Sequence, residues 1–151
     1  MNKVAVRQAA LSDLDALAAL FDRYRQFYGR GSDVDAAKAF LLARFNHGES
    51  VLFLAFDGDM PVGFAQLYPS FSSVSLARIF VLNDLFVDTS ARKQGVAGKL
   101  IAAAVAFAKT VEAVRLSLST EVGNKSAQAL YEANGWKRDE AFLSYEFSVP
   151  L

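Results

Sequence analysis

The chain has 151 residues, 53% hydrophobic and 21% charged, which suits one ordinary domain with a real core and not a disordered segment. Sixteen Lys+Arg balance sixteen Asp+Glu, and this removes the general electrostatic case for binding nucleic acid or an anionic membrane. With no cysteine and a single histidine, His47, the sequence excludes a disulfide framework, a cysteine nucleophile and a cysteine-ligated or multi-histidine zinc site, so no metal is expected.

Lys3 to Arg7 alternates Val4 and Val6 with polar neighbours and reads as a short strand. Ser12 then opens Ser-Asp-Leu-Asp, an N-cap followed by acids where the helix dipole favours them. Leu14, Leu17, Phe21, Tyr24 and Tyr28 follow at spacings of three or four, predicting an amphipathic helix that ends near Gly29. Ser32-Asp33 caps a second helix, with Phe40, Leu41 and Phe45 on one face, closing around His47-Gly48. The Asn46-His47-Gly48 context is turn-like, and no G-x-S-x-G elbow accompanies it, so a Ser-His-Asp hydrolase is not indicated.

Strand patterns take over from Val51. Val51 to Phe56 is an apolar run, Asp57-Gly58-Asp59 a turn signal, and Pro61 to Tyr68 a returning strand before a Ser-rich tip at Pro69 to Ser75. Ala77 to Val87 is long and almost wholly apolar, as a central strand covered on both faces would be, but Asn83-Asp84 interrupts it. Gln94 to Thr110 is predicted helical, with Leu100, Ile101, Ala104, Val105 and Ala108 as its packed face. Val114, Leu116 and Leu118 alternate as a strand. Asn124 caps a short helix through Asn134, Gly135 stands where a C′ glycine belongs, and Trp136 to Val149 closes the chain as extended structure.

This order, β-α-α-β-β-β-α-β-α-β, predicts an α/β (α+β) protein with a mixed sheet and helices on both faces, without repeat or linker. The first residues form no leader pattern, and no apolar run approaches the ~20 residues needed to span a bilayer. A soluble, cytoplasmic protein is expected.

The stretch with the most chemistry runs from Asn83 to Leu100. A buried strand leads through a polar turn into a helix whose first turn holds Gly95, Ala97 and Gly98, small residues that let a ligand approach the backbone. The N–H groups of a helix start, added to its dipole, favour an anion. Arg92, Lys93 and Lys99 add three positive charges with no acid between them, a local imbalance of phosphate size in a neutral chain. The bare pattern is weak; its position after the central strand gives it weight.

These residues resemble the GNAT superfamily of N-acetyltransferases, which move an acetyl group from acetyl-CoA to an amine. Arg92-Lys93-Gln94-Gly95-Val96-Ala97 is similar to the family's R/Q-x-x-G-x-G/A pyrophosphate loop. Asn124 to Trp136 is similar to its second signature, N-x-x-A-x-x-x-Y-x-x-x-G-[FW], with every fixed position met by Asn124, Ala127, Tyr131, Gly135 and Trp136. The resemblance covers nearly the whole chain and implies one acetyltransferase domain over residues 1–151, with a mostly antiparallel central sheet splayed between its fourth and fifth strands. The Leu-x-Asp-Leu-Phe-Val strand and Arg25-Gln26-Phe27-Tyr28 look like the branch containing diamine (spermidine/spermine) acetyltransferases. Asn83 stands where that branch carries a glutamate, a departure that bears on both the base and polyamine specificity.

The resemblance also implies roles. Backbone N–H groups of Gln94, Gly95, Val96, Ala97, Gly98 and Lys99, with Arg92 and Lys93 alongside, would hold the pyrophosphate of acetyl-CoA or coenzyme A. The strand Leu85-Phe86-Val87 would carry the pantetheine arm, and N–H groups nearby would polarise the thioester carbonyl. Asn124 would hydrogen-bond the pantetheine or orient its loop. Tyr131 would protonate or stabilise the departing CoA thiolate; a packing aromatic beside Leu130 is the other reading of that residue. Asp84 is the best carboxylate for the general base, because a charge inside an apolar strand needs a reason. A charge satisfied at a bulge or pointing into a cleft merely to bind a cation is the other reading of Asp84, and a water chain to solvent would also serve as the base.

The acceptor pocket is expected around Tyr24, Phe27, Tyr28 and Asp33, with Asn83 and Asp84, since aromatics beside an acid suit an amine; Tyr24 and Tyr28 also continue a core stripe. The expected reaction is acetyl transfer to a primary amine of a small molecule by direct attack in a ternary complex, which the lack of cysteine favours. A non-catalytic acyl-CoA-binding sensor or assembly module, and a protein or peptide N-acetyltransferase, are the alternatives. No nucleic-acid or membrane partner is expected. The apolar run Phe142 to Val149 is long for an exposed edge, which predicts a homodimer.

Overall fold

The computed structural model describes residues 3–151; Met1 and Asn2, at the start of the stretch read above as lacking a leader, lie outside them. The elements in chain order are β1 (Val4–Gln8), α1 (Leu14–Phe27), α2 (Val34–Asn46), β2 (Val51–Asp57), β3 (Met60–Ser72), β4 (Ala77–Val87), α3 (Val96–Thr110), β5 (Arg115–Ser117) and α4 (Lys125–Ala133). They fall into two compact units, one up to Ser119 and one over Thr120–Leu151. No helix among the described residues is long and apolar enough to cross a membrane.

In the first unit the strands lie in the order β1-β2-β3-β4-β5, antiparallel through β4, with β5 parallel to β4. Helices cover both faces, as the sequence order required. On one face α1 and α2 bury Leu14, Leu17, Leu20, Phe21 and Leu41 against Leu52, Leu54, Phe64 and Phe86. On the other, Phe107 of α3 packs edge-on against Phe53 of β2 and Phe80 of β4, with ring centroids 5.8 and 5.5 Å apart. Each fully buried Leu or Phe contributes about 1.5–3 kcal/mol relative to exposure, so these two layers are the main source of stability.

Three local features differ from the sequence-based expectation. The N-cap expected at Ser12 is replaced by a 3-10 turn at Leu11–Asp13, where Asp13 accepts the Ala10 N–H at 2.8 Å and pairs with Arg7 at 2.7 Å. β3 runs on through Pro69 to Ser72 instead of ending at Tyr68, so the tip is shorter than predicted. Proline is tolerated there because β3 has already outrun β2, whose pairing stops at Leu67. β4 meets β5 only over Ile79 to Val81, and its next six residues leave that ladder, which is the expected splay between the fourth and fifth strands.

In the second unit, Asn124 Oδ1 accepts the Ala127 N–H at 3.1 Å and starts α4 as expected. The helix ends in a Schellman motif: Trp136 N donates to Tyr131 O at 3.1 Å and Gly135 N to Glu132 O at 3.1 Å, with Gly135 at φ +89°. Beyond it the expected closing strand is not formed, and among the described residues no helix or strand follows α4. Within this unit a single extended segment has no second strand to complete a ladder.

Candidate active site

Asp84 owes its position to a bulge. Gln66 of β3 pairs with Asp84, but the next residue, Leu67, pairs with Leu82, which leaves Asn83 as an extra residue on β4. The extra residue switches the faces of the strand. Before it, Phe80 meets Phe107 of α3; after it, Phe86 meets Phe64 and Tyr24 on the α1–α2 side. Without the bulge Asp84 would face α3. With it, the carboxylate enters the layer between the sheet and the first two helices.

There it is buried, 5% exposed, beside a Gln66 that is 0% exposed. Gln66 Nε2 donates to Asp84 Oδ2 at 2.7 Å and Asn83 Nδ2 to Oδ1 at 3.1 Å. The Tyr24 phenol also neighbours this carboxylate and favours its charged form. Burial nevertheless outweighs these three groups and raises the Asp84 pKa above the ordinary carboxylate value. Burial and the neighbouring Asp84 charge likewise push the Tyr24 phenol upward, and Tyr68 up to about 12. A carboxylate with raised proton affinity among neutral donors is equipped to take a proton from a cation.

β3 and β4 approach closely beside this site. A Cβ on Gly63 would lie 2.8 Å from the Phe86 carbonyl oxygen, so only glycine fits the register that places Phe64 opposite Phe86.

The basic segment after β4 is shaped as an anion-binding turn. Arg92 donates from Nε to Val87 O at 3.0 Å and its guanidinium lies 5.6 Å from the Phe27 ring centroid. Lys93 and Gly95 both adopt positive φ, +63° and +77°, and Gly95 is the N-cap of α3. No acidic residue occupies the first turn of α3. Gly98 has open space around its missing Cβ, and Ala97 is small, so the backbone N–H groups from Gln94 onward can be approached closely. Val96 is buried beneath the turn. Lys99 instead turns back to β1, its Nζ donating to Val4 O at 2.9 Å. Leu85 and Val87 are half-buried on the part of β4 that has left the β5 ladder, whereas the Phe86 side chain is in the core. This combination fits a nucleotide pyrophosphate and an extended arm laid along a strand edge.

Of the acceptor-site residues expected from sequence, the fold brings Tyr24, Asn83 and Asp84 together. Phe27 and Tyr28 lie exposed at the end of α1, with centroids 5.3 Å apart and Tyr28 5.1 Å from Tyr24. Asp33 is occupied in capping α2, accepting the Ala36 N–H at 3.0 Å. Its backbone N–H, Ser32 Oγ and Gln26 Nε2 all donate to buried Asp22, at 2.7, 2.7 and 3.0 Å, which ties the α1–α2 connection down. In the second unit Asn124 caps α4, and the Tyr131 ring lies 6.1 Å from that of Trp136.

Sequence reasoning missed Gln66. Its signal was present: one polar residue inside the apolar run Val62 to Leu67 is the same kind of interruption that drew attention to Asp84.

Residues 15–136 match the family model described as Acetyltransferase (GNAT) family. The chain is 48% identical over 145 residues to the uncharacterized N-acetyltransferase YhfO of Bacillus subtilis (strain 168), covering 96% of this chain and 97% of that one. It is also similar to a crystal structure of a "probable acetyltransferase", with a TM-score of 0.92, 42% identity, and 97% and 98% of the two chains covered. An aminoglycoside N-acetyltransferase in complex with CoA shares the fold, with a TM-score of 0.79 at 22% identity over 97% of this chain and 95% of that one.

Proposed function

Since the chain belongs to the acetyltransferase (GNAT) family, and is therefore an acyltransferase, we propose that it transfers the acetyl group of acetyl-CoA to a primary amine of a small molecule. The amine attacks directly in a ternary complex. The observation that carries this reading is the buried Asp84 carboxylate, placed by the bulge at Asn83 in the same strand whose Leu85–Val87 edge leaves the β5 ladder.

In this reading acetyl-CoA supplies an activated acyl thioester; the chain positions it and manages protons. The N–H groups from Gln94 to Gly98 hold the pyrophosphate, with Arg92 and Lys93 providing positive potential; the Lys99 N–H, expected among them, instead bonds Gly95 O inside α3. Leu85 and Val87 pair through their backbones with the pantetheine arm. Asn124, through its amide, contacts that arm or orients the loop it caps. An acceptor ammonium with a pKa near 10 must lose a proton before its nitrogen can form a bond to the acyl carbon. Asp84 takes that proton, directly or through water, and its raised pKa narrows the gap to the amine. As the C–S bond breaks, the thiolate is protonated; Tyr131 has this role by its place in the second motif. The Asn83–Asp84 pair and Tyr24 border the acceptor, with Phe27 and Tyr28 beyond them; Asp33, expected there too, is committed to capping α2.

The protein is taken as one cytoplasmic acetyltransferase domain over residues 1–151 acting as a homodimer. Phe142, Leu143, Tyr145, Phe147 and Val149 are all exposed on a segment with strand-like alternation, which a second copy would cover. Gel filtration at micromolar concentration returning a monomer would contradict the dimer.

Release of free CoA thiol, followed across polyamines, amino acids, aminoglycosides and short peptides, tests the activity. Acetylation of at least one small amine is expected. Acetyl-CoA binding without transfer to any of them would identify a sensor, and transfer to peptides alone a protein acetyltransferase.

A further inference from the structure

Beside the Asp84 network lies a cavity of about 400 Å³ lined by Phe40 and Arg44 of α2, Gly48 and Glu49 after it, and Tyr68 and Pro69 of β3. Tyr68 follows Gln66 by two residues on the same strand, so both side chains face the α1–α2 layer that holds Asp84. Burial is the main cause of the raised Tyr68 pKa; the Asp84 charge adds to it and Arg44 opposes it. Tyr68 thus lines the cavity on the strand face that also carries Gln66, the partner of Asp84.

Its two charged walls are not equivalent. The Arg44 guanidinium lies 4.7 Å from the Phe40 ring centroid, and its side chain is 30% exposed. Glu49 is 55% exposed on the connection to β2, so it is the more easily displaced partner. The two form an ion pair at 3.1 Å between Nε and Oε1, but the buried Nε–H makes no well-formed hydrogen bond. A planar guanidinium set against an aromatic ring, with an unsatisfied donor, is suited to a carboxylate better than to a second cation.

We propose that this cavity is the acceptor's second subsite and that the acceptor is an amino acid-like amine, whose carboxylate is received by Arg44 while its amine lies toward Asp84. This rests on the acetyl-transfer reading for the amine's fate, but the carboxylate subsite stands on the cavity and Arg44. The carboxylate replaces Glu49 on Arg44 and supplies the well-formed hydrogen bond that Nε lacks. Diamines and aminoglycosides would bring a second positive charge toward Arg44 and are disfavoured.

The test compares amines that differ only by a carboxylate, lysine against cadaverine and phenylalanine against phenethylamine, in both turnover and calorimetric binding. The carboxylate-bearing member is expected to be favoured roughly tenfold to a hundredfold, the worth of one charge-assisted hydrogen bond. Arg44→Gln should erase that preference through KM with the KM for acetyl-CoA unchanged, and Arg44→Lys should restore part of it. Glu49→Gln removes the internal competitor and should tighten carboxylate ligands several-fold. Equal or better turnover of cadaverine, or a preference indifferent to both Arg44→Gln and Glu49→Gln, overturns the subsite and leaves acetyl transfer standing. Amino acid binding that depends on Arg44 without any turnover keeps the subsite and removes acetyl transfer.

Discussion

Gln66 donates a 2.7 Å hydrogen bond to Asp84 across the β3–β4 pair, between two side chains that are both almost wholly buried. Neither residue has an apolar reason to be there. The cost of burying the carboxylate is offset by donors from Gln66 and Asn83 and by the neighbouring Tyr24 phenol, yet its proton affinity still ends above the ordinary value. Such an arrangement destabilises the charged form while keeping it in place, as a general base for an ammonium requires.

Asp84→Asn should separate stability from activity. The folded Asp84 pKa lies above its unfolded value near 3.9, so the stabilisation from this group is complete below that value. It is lost as pH rises through the raised folded pKa. At pH 7–8 the asparagine variant is expected to melt at a higher temperature than the parent, and the difference should shrink below about pH 4. Acetyl transfer should fall on the order of a hundredfold or more, the scale of a lost general base. Thermal melts over pH, paired with turnover at neutral pH, check both; a melting difference independent of pH would remove the charged buried carboxylate from the account.

Much of this site was legible in the sequence because strong local patterns agreed with the fold. The Asn124 cap and the Gly135 stop bound α4 as read, and the Schellman motif explains part of the Y-x-x-x-G-[FW] spacing. Tyr131 is the residue whose carbonyl and ring Trp136 meets, and Gly135 supplies the positive φ between them. Asp84 stood out as a charge in an apolar strand. The side of the sheet it faces was not legible, because β4 is almost wholly apolar and no alternation marks its faces, while the bulge that switches them appears only in the pairing with β3. The roles of Gln66, Tyr68 and Arg44 depend on non-local pairing, which no local pattern encodes. Asp33 looked available for an acceptor because its capping bond and its link to Asp22 appear only once α1 and α2 are packed.

Asp22 predicts an opposite pH response. The Asp33 N–H, Ser32 and Gln26 hold its carboxyl below the ordinary range. This stabilisation is present above the unfolded pKa and is lost as pH falls through the depressed folded value. Asp22→Ala removes three hydrogen bonds to a buried carboxylate, and should cost about 1.5–3 kcal/mol at neutral pH, less under acid. Denaturant unfolding at pH 7 and pH 3 measures the difference; an equal loss at both would assign the effect to packing alone.

Gly63→Ala should damage the site through the backbone. Its Cβ would meet the Phe86 carbonyl oxygen at 2.8 Å, and neither strand can yield without moving the pair that follows. Overpacking of this kind costs about 1–3 kcal/mol. The shift falls two residues from Asp84 in β4, so turnover should drop more than stability alone explains, with the folded fraction measured in parallel by circular dichroism. Parent-like turnover and melting would show that β3 and β4 can separate freely there.

Tyr131→Phe is the cleanest test of the proton donor. Phenylalanine keeps the ring that packs on Trp136 and leaves the main-chain bonds closing α4 untouched, and circular dichroism measured in parallel reads the folded fraction. What is removed is the hydroxyl. A CoA thiolate has a pKa near 8.5, so below that pH its departure is assisted by a donor and above it the need falls away. The variant should therefore lose kcat on the order of tenfold to a hundredfold at pH 7 and progressively less by pH 9, with the KM for acetyl-CoA within about twofold of the parent. A uniform loss at every pH would indicate a positioning role for the hydroxyl. Unchanged kcat would reduce Tyr131 to the packing partner of Trp136 and pass the proton to water.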